Sequence, residues 1–290
     1  MTNKITGVID IGSNSVRLLV VNNGKTVYKN ALVTRLSENM SKERILTADA
    51  MERTISALSF FRDKANEFSV EKLYVFATAA VRLASNKEQF LALVYNKLNI
   101  NIEVISGENE AEIGLLGALN NKDGGFIDVG GKSTELAVII NGKSVYVNSF
   151  NIGIVSLKEK FSQNNTKTYK YCKKFFKENL NLCKYNYLDF YAVGGTATTI
   201  SAICLGLKEY DREKVDLSIV TLNQLKKVIK TLSKTPVFLR TQNFCIQKGR
   251  EDVILSGSIL FYALMKKLKL NKIIVRDSDN LEGYLIQKGI

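Results

Sequence analysis

Two short segments of the chain have the residue types that a phosphate group requires of a loop. Ile9-Asp10-Ile11-Gly12-Ser13-Asn14-Ser15 leaves an apolar run through small residues whose backbone N–H groups and hydroxyls can meet an oxyanion, and Arg17 adds charge two residues on. Asp128-Val129-Gly130-Gly131-Lys132-Ser133-Thr134-Glu135 offers the same donors with a carboxylate at each end. A sharp hairpin selects the same small residues, so a purely structural role is open for each loop. Thr78-Ala79-Ala80-Val81-Arg82 and Gly194-Gly195-Thr196-Ala197-Thr198 are strand-to-helix junctions suited either to capping or to anion binding. Ile105-Ser106-Gly107-Glu108-Asn109-Glu110-Ala111 enters a helical run with acidic residues in its first turn, which capping and the helix dipole explain. The chain has no histidine, however, so a carboxylate at such a helix start is the natural base for activating water.

The missing histidine also removes Ser-His-Asp triads and His-ligated zinc or iron. Cys172, Cys183, Cys204 and Cys245 show no metal-ligand spacing and read as reduced packing residues. Gly131-Lys132-Ser133 is not a Walker A loop, because Phe126 stands where the first glycine belongs and an apolar strand, not a helix, follows. No apolar run approaches the roughly 18 residues that span a bilayer, and no signal-peptide core is present. A cytoplasmic protein without a membrane partner is expected. The net charge of +13 invites a polyanion, although 31 of the 41 basic residues are lysine, which compositional bias also produces. The Lys-rich stretch Leu157–Lys184, interleaved with Phe161, Tyr169, Tyr171, Phe175 and Phe176, is read as an amphipathic helix with its aromatics inward rather than as a nucleic-acid surface.

The elements that must position these loops follow from an internal repeat. Val8–Val20 aligns with Phe126–Val138, each an apolar run ending in Asp, a polar tip and a second apolar run, which reads as a β-hairpin. A third strand is expected near Thr26–Arg35, then a helix over Ala48–Phe68, a strand at Lys72–Ala77, a helix near Asn86–Leu98, a strand at Ile102–Ile105 and a helix from about Glu108. The second half repeats the strands at Phe126–Val129, Leu136–Ile140 and Ser144–Phe150. At about 150 residues per domain, 290 residues suggest two domains. They are placed at 1–122 and 123–290, with the helix at about 281–290 returning to pack on the first.

Taken together, IDIGSNSVRLLV (9–20), VTRL (33–36), ATAAVRLASN (77–86), ISGENEA (105–111), IDVGGKSTELAV (127–138), VGGTATTISAI (193–203), GREDVILSG (249–257) and LEGYLI (281–286) resemble the Ppx/GppA family of exopolyphosphatases and guanosine pentaphosphate phosphohydrolases. The resemblance implies an α/β fold of two ribonuclease-H-like domains of the actin-like ATPase superfamily, flanking a phosphate-binding cleft. It implies Mg²⁺-dependent hydrolysis of a terminal phosphoanhydride of inorganic polyphosphate, with guanosine penta- or tetraphosphate as the alternative substrate. Glu110 is then the base for water, Glu135 assists the water or the metal, and Asp128 and Asp10 are the further metal ligands. Gly12, Ser13, Asn14, Ser15, Arg17, Arg82, Gly130, Gly131, Lys132, Ser133, Thr134, Gly195 and Thr196 hold phosphates. A homodimer rests on the resemblance alone, and nucleic acid is not expected as a partner. A non-catalytic polyphosphate or alarmone sensor and an ATP-dependent kinase are the competing classes.

The chain departs from the family pattern in places. Lys132 replaces the third glycine of the usual GGGSTE, and either turns a cation toward the phosphate or points to solvent. Ser37 and Asn39 stand where glycines are usual, and Leu281 replaces an arginine. The helical HD-like domain of longer relatives is not recognised in the sequence, so less processive hydrolysis or a preference for short chains is expected.

Overall fold

The apolar run Ile5–Ile11 forms strand β1, and its buried side chains alternate between two faces because helices cover both sides of the sheet it centres. The computed structural model describes residues 4–40, 43–119, 122–181 and 183–290. They divide into two units, one comprising the chain up to Gly117 together with Asn280–Ile290, the other Ala118–Asp279.

In the first unit β1, β2 (Ser15–Asn22) and β3 (Lys25–Val33) make an antiparallel meander. Helix α1 (Ala48–Glu67) leads to β4 (Lys72–Ala77), parallel to β1. Then come α2 (Ala79–Arg82), α3 (Lys87–Leu98), β5 (Glu103–Val104), parallel to β4, and α4 (Gly107–Leu119). The sheet order is β3-β2-β1-β4-β5. On one face, Ile55, Leu58 and Phe61 of α1 pack with Ile9, Ile11 and Leu18. Thr47 starts that helix by accepting from the Ala50 N–H.

The second unit repeats the plan with β6 (Gly124–Val129), β7 (Thr134–Ile140) and β8 (Lys143–Phe150), followed by α5 (Ile154–Phe161) and α6 (Asn165–Asn179). After β9 (Phe190–Val193) come α7 (Gly194–Cys204), α8 (Arg212–Val215), β10 (Ile219–Thr221), α9 (Leu222–Lys234), α10 (Val237–Asn243), α11 (Ile254–Leu268) and β11 (Lys272–Val275). Its order, β10-β11-β9-β6-β7-β8, is that of the first sheet with β10 added as an antiparallel edge. Each unit is thus ribonuclease-H-like, three antiparallel strands continued by two parallel ones.

The single helix expected over the Lys-rich stretch is two, α5 and α6. The break falls where Ser162 takes a positive φ of 51° and Asn164 caps α6 by accepting from the Lys167 N–H. Its aromatics face inward: Phe176 is buried, and Phe161, Tyr169, Tyr171 and Phe175 pack against the core. Cys172, Cys204 and Cys245 are free thiols, with Cys172 buried and its ionisation pushed up to about 12 by desolvation. The side chain of Cys183 lies outside the described residues. Among the described residues no helix is long and apolar enough to cross a membrane.

The C-terminal helix α12 (Asn280–Gln287) completes the other face of the first sheet. Tyr284 stacks on Phe76 at 4.7 Å, its hydroxyl donates to Glu103, and Glu282 pairs with Lys29 at 2.8 Å. Gly283 lets α12 approach α4 so closely that a Cβ there would overlap the Ile113 carbonyl. Gly283→Ala is therefore expected to cost about 3 kcal/mol through overpacking, read as a lower urea midpoint for the first unit.

Candidate functional site

The two hairpin tips have the same construction. The Gly12 N–H donates to the Ser15 carbonyl at 3.0 Å, and the Gly130 N–H donates to the Ser133 carbonyl at 3.0 Å. Asp10 lies opposite Arg17 in the first ladder and Asp128 opposite Glu135 in the second. Directly opposed residues project to the same face, so each tip presents a pair of charged side chains. The pairs differ in sign, which makes the two tips electrostatically unlike.

In the first unit Arg17 closes a fork on Asp10, with Nε 3.0 Å from Oδ2 and Nη2 on the same oxygen. Asp10 is thus already bound by a full positive charge, which suits an anchor for Arg17 better than a metal ligand. The Gly12–Asn14 tip is braced from behind, since the Asn14 carbonyl accepts from the Thr34 and Arg35 N–H groups and the Ser13 carbonyl from that of Ser37. Ser13, Asn14 and Ser15 are all buried. Both side-chain polar atoms of Asn14 lack a protein partner, as does the Ser37 hydroxyl.

Helix α4 separates the two acids that capping alone could not tell apart. Ser106 supplies the cap, its Oγ accepting from the Asn109 N–H at 3.1 Å, and Glu108 is exposed. Glu110 points inward and is only 5% exposed. Arg82, at the end of α2, donates through Nη1 to Glu110 Oε2 at 2.9 Å and to the Ile105 carbonyl at 3.0 Å. Burial pushes the Glu110 carboxyl up to about 7 against the opposing pull of Arg82, with Asp10 raising it further and Arg17 lowering it. Asp10, Arg17, Arg82 and Glu110 therefore form one electrostatic cluster, in which a carboxyl is poised to exchange a proton near neutrality.

In the second unit two acids face each other. Ser149 on β8 donates to Glu135 Oε1 at 2.7 Å. The Asp128 carboxylate lies against Gly194, whose φ of 79° and missing side chain make room: a Cβ would sit 2.5 Å from Asp128 Oδ1. Two buried carboxylates on one face repel, and a hard divalent cation relieves that repulsion with the all-oxygen donors it prefers. Asp128 and Glu135 fit Mg²⁺ on that ground. No cluster of three or more metal-binding side chains occurs among the described residues, so other ligands to such an ion would be water and phosphate.

The remaining expected phosphate ligands divide into two groups. The Gly130 and Gly131 carbonyls accept from the Ile154 and Val155 N–H groups at the start of α5, fixing the second tip to that helix. The hydroxyls of Thr134 and Thr196 donate to the Ile152 and Val129 carbonyls at 2.6 and 2.7 Å, so these side chains brace the loop. Lys132 takes neither of its expected courses: its ammonium is buried against Glu159 of α5 at 2.7 Å. One residue escaped assignment from sequence. Arg250 is buried, and its guanidinium occupies the space a Cβ on Gly195 would need, at the start of α7. The signal is an arginine beside a glycine in a lysine-dominated chain, within the GREDVILSG segment (249–257).

Removing the Arg82 guanidinium deletes the largest interaction that holds the Glu110 proton off. In Arg82→Gln the Glu110 carboxyl is expected to titrate clearly above 7, followed by carboxyl-selective carbon NMR against the parent protein.

The model of the Ppx/GppA phosphatase family matches residues 8–288. The chain is 33% identical, over 98% of its length, to the bifunctional 3-dehydroquinate synthase/phosphatase of Fusobacterium nucleatum, of which it covers 46%. It is 28% identical to the guanosine-5′-triphosphate,3′-diphosphate pyrophosphatase of Aliivibrio fischeri, over 97% of this chain and 57% of that one. The chain thus spans about half the length of these two relatives. It is 27% identical to exopolyphosphatase 2 of Mycobacterium tuberculosis, with 96% of each chain covered. Among solved structures, the Aquifex aeolicus member of the Ppx/GppA family superimposes with a TM-score of 0.79 at 30% identity, covering 99% of this chain and 97% of that one. With the repeated tips, the buried Glu110–Arg82 pair and a family match along almost its whole length, the chain belongs to the Ppx/GppA phosphatase family.

Proposed function

We propose that the protein hydrolyses the terminal phosphoanhydride of inorganic polyphosphate, releasing orthophosphate, with Glu110 as the base that takes a proton from the attacking water. The observation that carries this reading is the state of Glu110: a buried carboxyl raised to about 7 in a chain without histidine. A carboxyl shifted toward neutrality suits a group that must accept a proton in one step and lose it afterwards. Family membership and the exopolyphosphatase relative support this choice of substrate class.

Cleavage of a phosphoanhydride asks little covalent chemistry of a protein and much positioning. Arg82 holds the Glu110 carboxylate through Oε2 and is itself fixed by the Ile105 carbonyl, so the base cannot swing away as it changes charge. In each unit the backbone N–H groups of the tip, with Arg17 in the first unit and Arg250 in the second, are candidate donors for phosphate oxygens. Asp128 and Glu135 are the residues that would hold Mg²⁺, which neutralises charge building on the phosphate oxygens when bound. Guanosine pentaphosphate is the second substrate on this reading, favoured by the Aliivibrio relative and calling on the same residues.

The test is phosphate release from long polyphosphate, short polyphosphate, guanosine pentaphosphate and ATP measured in parallel. Glu110→Gln is expected to lower kcat roughly 10²–10⁴-fold while leaving substrate binding measurable. Release that persists in this variant, or no release by the parent from any of the four, would overturn the assignment. Because the base acts ionised, kcat/KM for the preferred substrate should rise with pH through an apparent value of about 7, and Arg82→Gln should move that limb upward. Chelation of divalent ions should abolish turnover, Mg²⁺ should restore it, and Asp128→Asn should need more Mg²⁺ for half-maximal rate.

A further inference from the structure

The chain's positive charge is concentrated. Helices α6, α9 and α11 hold eleven lysines and one acidic residue, Glu178, so they account for ten of the thirteen net positive charges. All three belong to the second unit, and α11 packs against both of the others. Their apolar sides are committed to the core. Helix α6 buries Thr168, Cys172 and Phe176 at four-residue spacing, α9 buries Leu225, Val228 and Leu232, and α11 is buried along nearly all its length.

The outward faces are correspondingly basic. Lys167, Lys170, Lys173, Lys174 and Lys177 are exposed along α6, and Lys226, Lys227, Lys230 and Lys234 along α9. Lysines three or four residues apart stand on one helix face about 5–6 Å from each other, so each helix carries a continuous row of ammonium groups. Such a row costs self-repulsion, and Glu178 of α6 lies 3.9 Å from Lys174. Compositional bias would scatter the excess, whereas outside these helices basic and acidic residues nearly balance.

We propose that the exposed lysine rows of α6 and α9 are a docking surface for inorganic polyphosphate, holding the length of a long chain. The inference rests on polyphosphate being the substrate. Polyphosphate is the polyanion the surface fits, because its charges are uniform and its chain flexible. The three helices contain no arginine, so they lack the forks that read fixed phosphate geometry. Of the aromatics that single-stranded nucleic acid would stack on, Phe176 is buried and Phe161, Tyr169, Tyr171 and Phe175 pack against the core. The apolar faces that a membrane-seeking helix would insert are already packed. A surface of this kind works against the short-chain preference expected from the sequence, since it rewards length.

The experiment uses the full chain with Lys170, Lys173, Lys174 and Lys177 replaced together by Gln, and a second variant with the same four replaced by Arg. Long-chain polyphosphate and tripolyphosphate are titrated over a range of salt, and hydrolysis of each is followed. For the Gln variant the long-chain dissociation constant and KM are expected to rise about tenfold or more at low salt, with a shallower salt dependence. Tripolyphosphate kcat and KM should stay at parent values, and the Arg variant should behave as the parent. Unchanged long-chain affinity in the Gln variant, or an equal loss for tripolyphosphate, would overturn the proposal. So would lysine-dependent binding of duplex DNA or phosphatidylserine vesicles tighter than that of polyphosphate. A parent that binds long chains through these lysines but releases no phosphate would refute the hydrolase assignment and leave the docking surface standing.

Discussion

The Glu110–Arg82 pair sits where two large effects oppose each other. Taking a carboxylate out of water costs several kcal/mol, and a guanidinium 2.9 Å away returns much of that cost. Neither effect wins outright, and the residual tilt toward the protonated form places the group near neutrality. Glu108, in the same helix turn, stays exposed to water, whereas Glu110 is buried. The fold serves this balance directly. The β4–α2 junction carries Arg82, the β5–α4 junction carries Glu110, and β4 and β5 are adjacent in the sheet, so two parallel strands bring the partners together.

The same supersecondary unit is used twice with different chemistry at its tip. Both hairpins close on a glycine N–H three residues before its acceptor, and both put an aspartate at the end of the first strand. The residue opposite that aspartate is Arg17 in the first hairpin and Glu135 in the second, so an ion pair at one tip is replaced by two carboxylates at the other. The backbone geometry is shared because register, not side-chain chemistry, sets which residues face one another. Lys132 belongs to this logic: an extra cation at the second tip is cancelled by Glu159, so the loop keeps its charge while gaining a tie to α5.

On the proposed reading, two tasks are divided within the second unit. Positioning a scissile phosphate needs buried, directional donors, and on that reading these are the loop amides and Arg250. Retaining a long, repetitive chain needs only charge density, which lysines in water provide at little cost to the core. The amphipathic pattern of α6 reconciles the two, with Phe176 and Cys172 inside and five ammonium groups outside.

Much of this was legible before any coordinates. The strand Lys72–Ala77 and the two hairpins follow from alternation and small polar tips, and the doubled plan follows from aligning Val8–Val20 with Phe126–Val138, because local backbone preference and burial periodicity are written in adjacent residues. The absence of histidine, a property of composition alone, already turned the search for a base toward carboxylates. What the sequence left open were matters of distance between residues far apart in the chain. It could not separate Glu108 from Glu110 without the family resemblance, since both satisfy a helix dipole and only packing decides which is desolvated. Nor could it pair Lys132 with Glu159, set Arg250 against Gly195, or show that α6 and α9 pack against the same helix, α11. Those facts depend on which surfaces are removed from water and what remains beside them, and tertiary structure alone decides that.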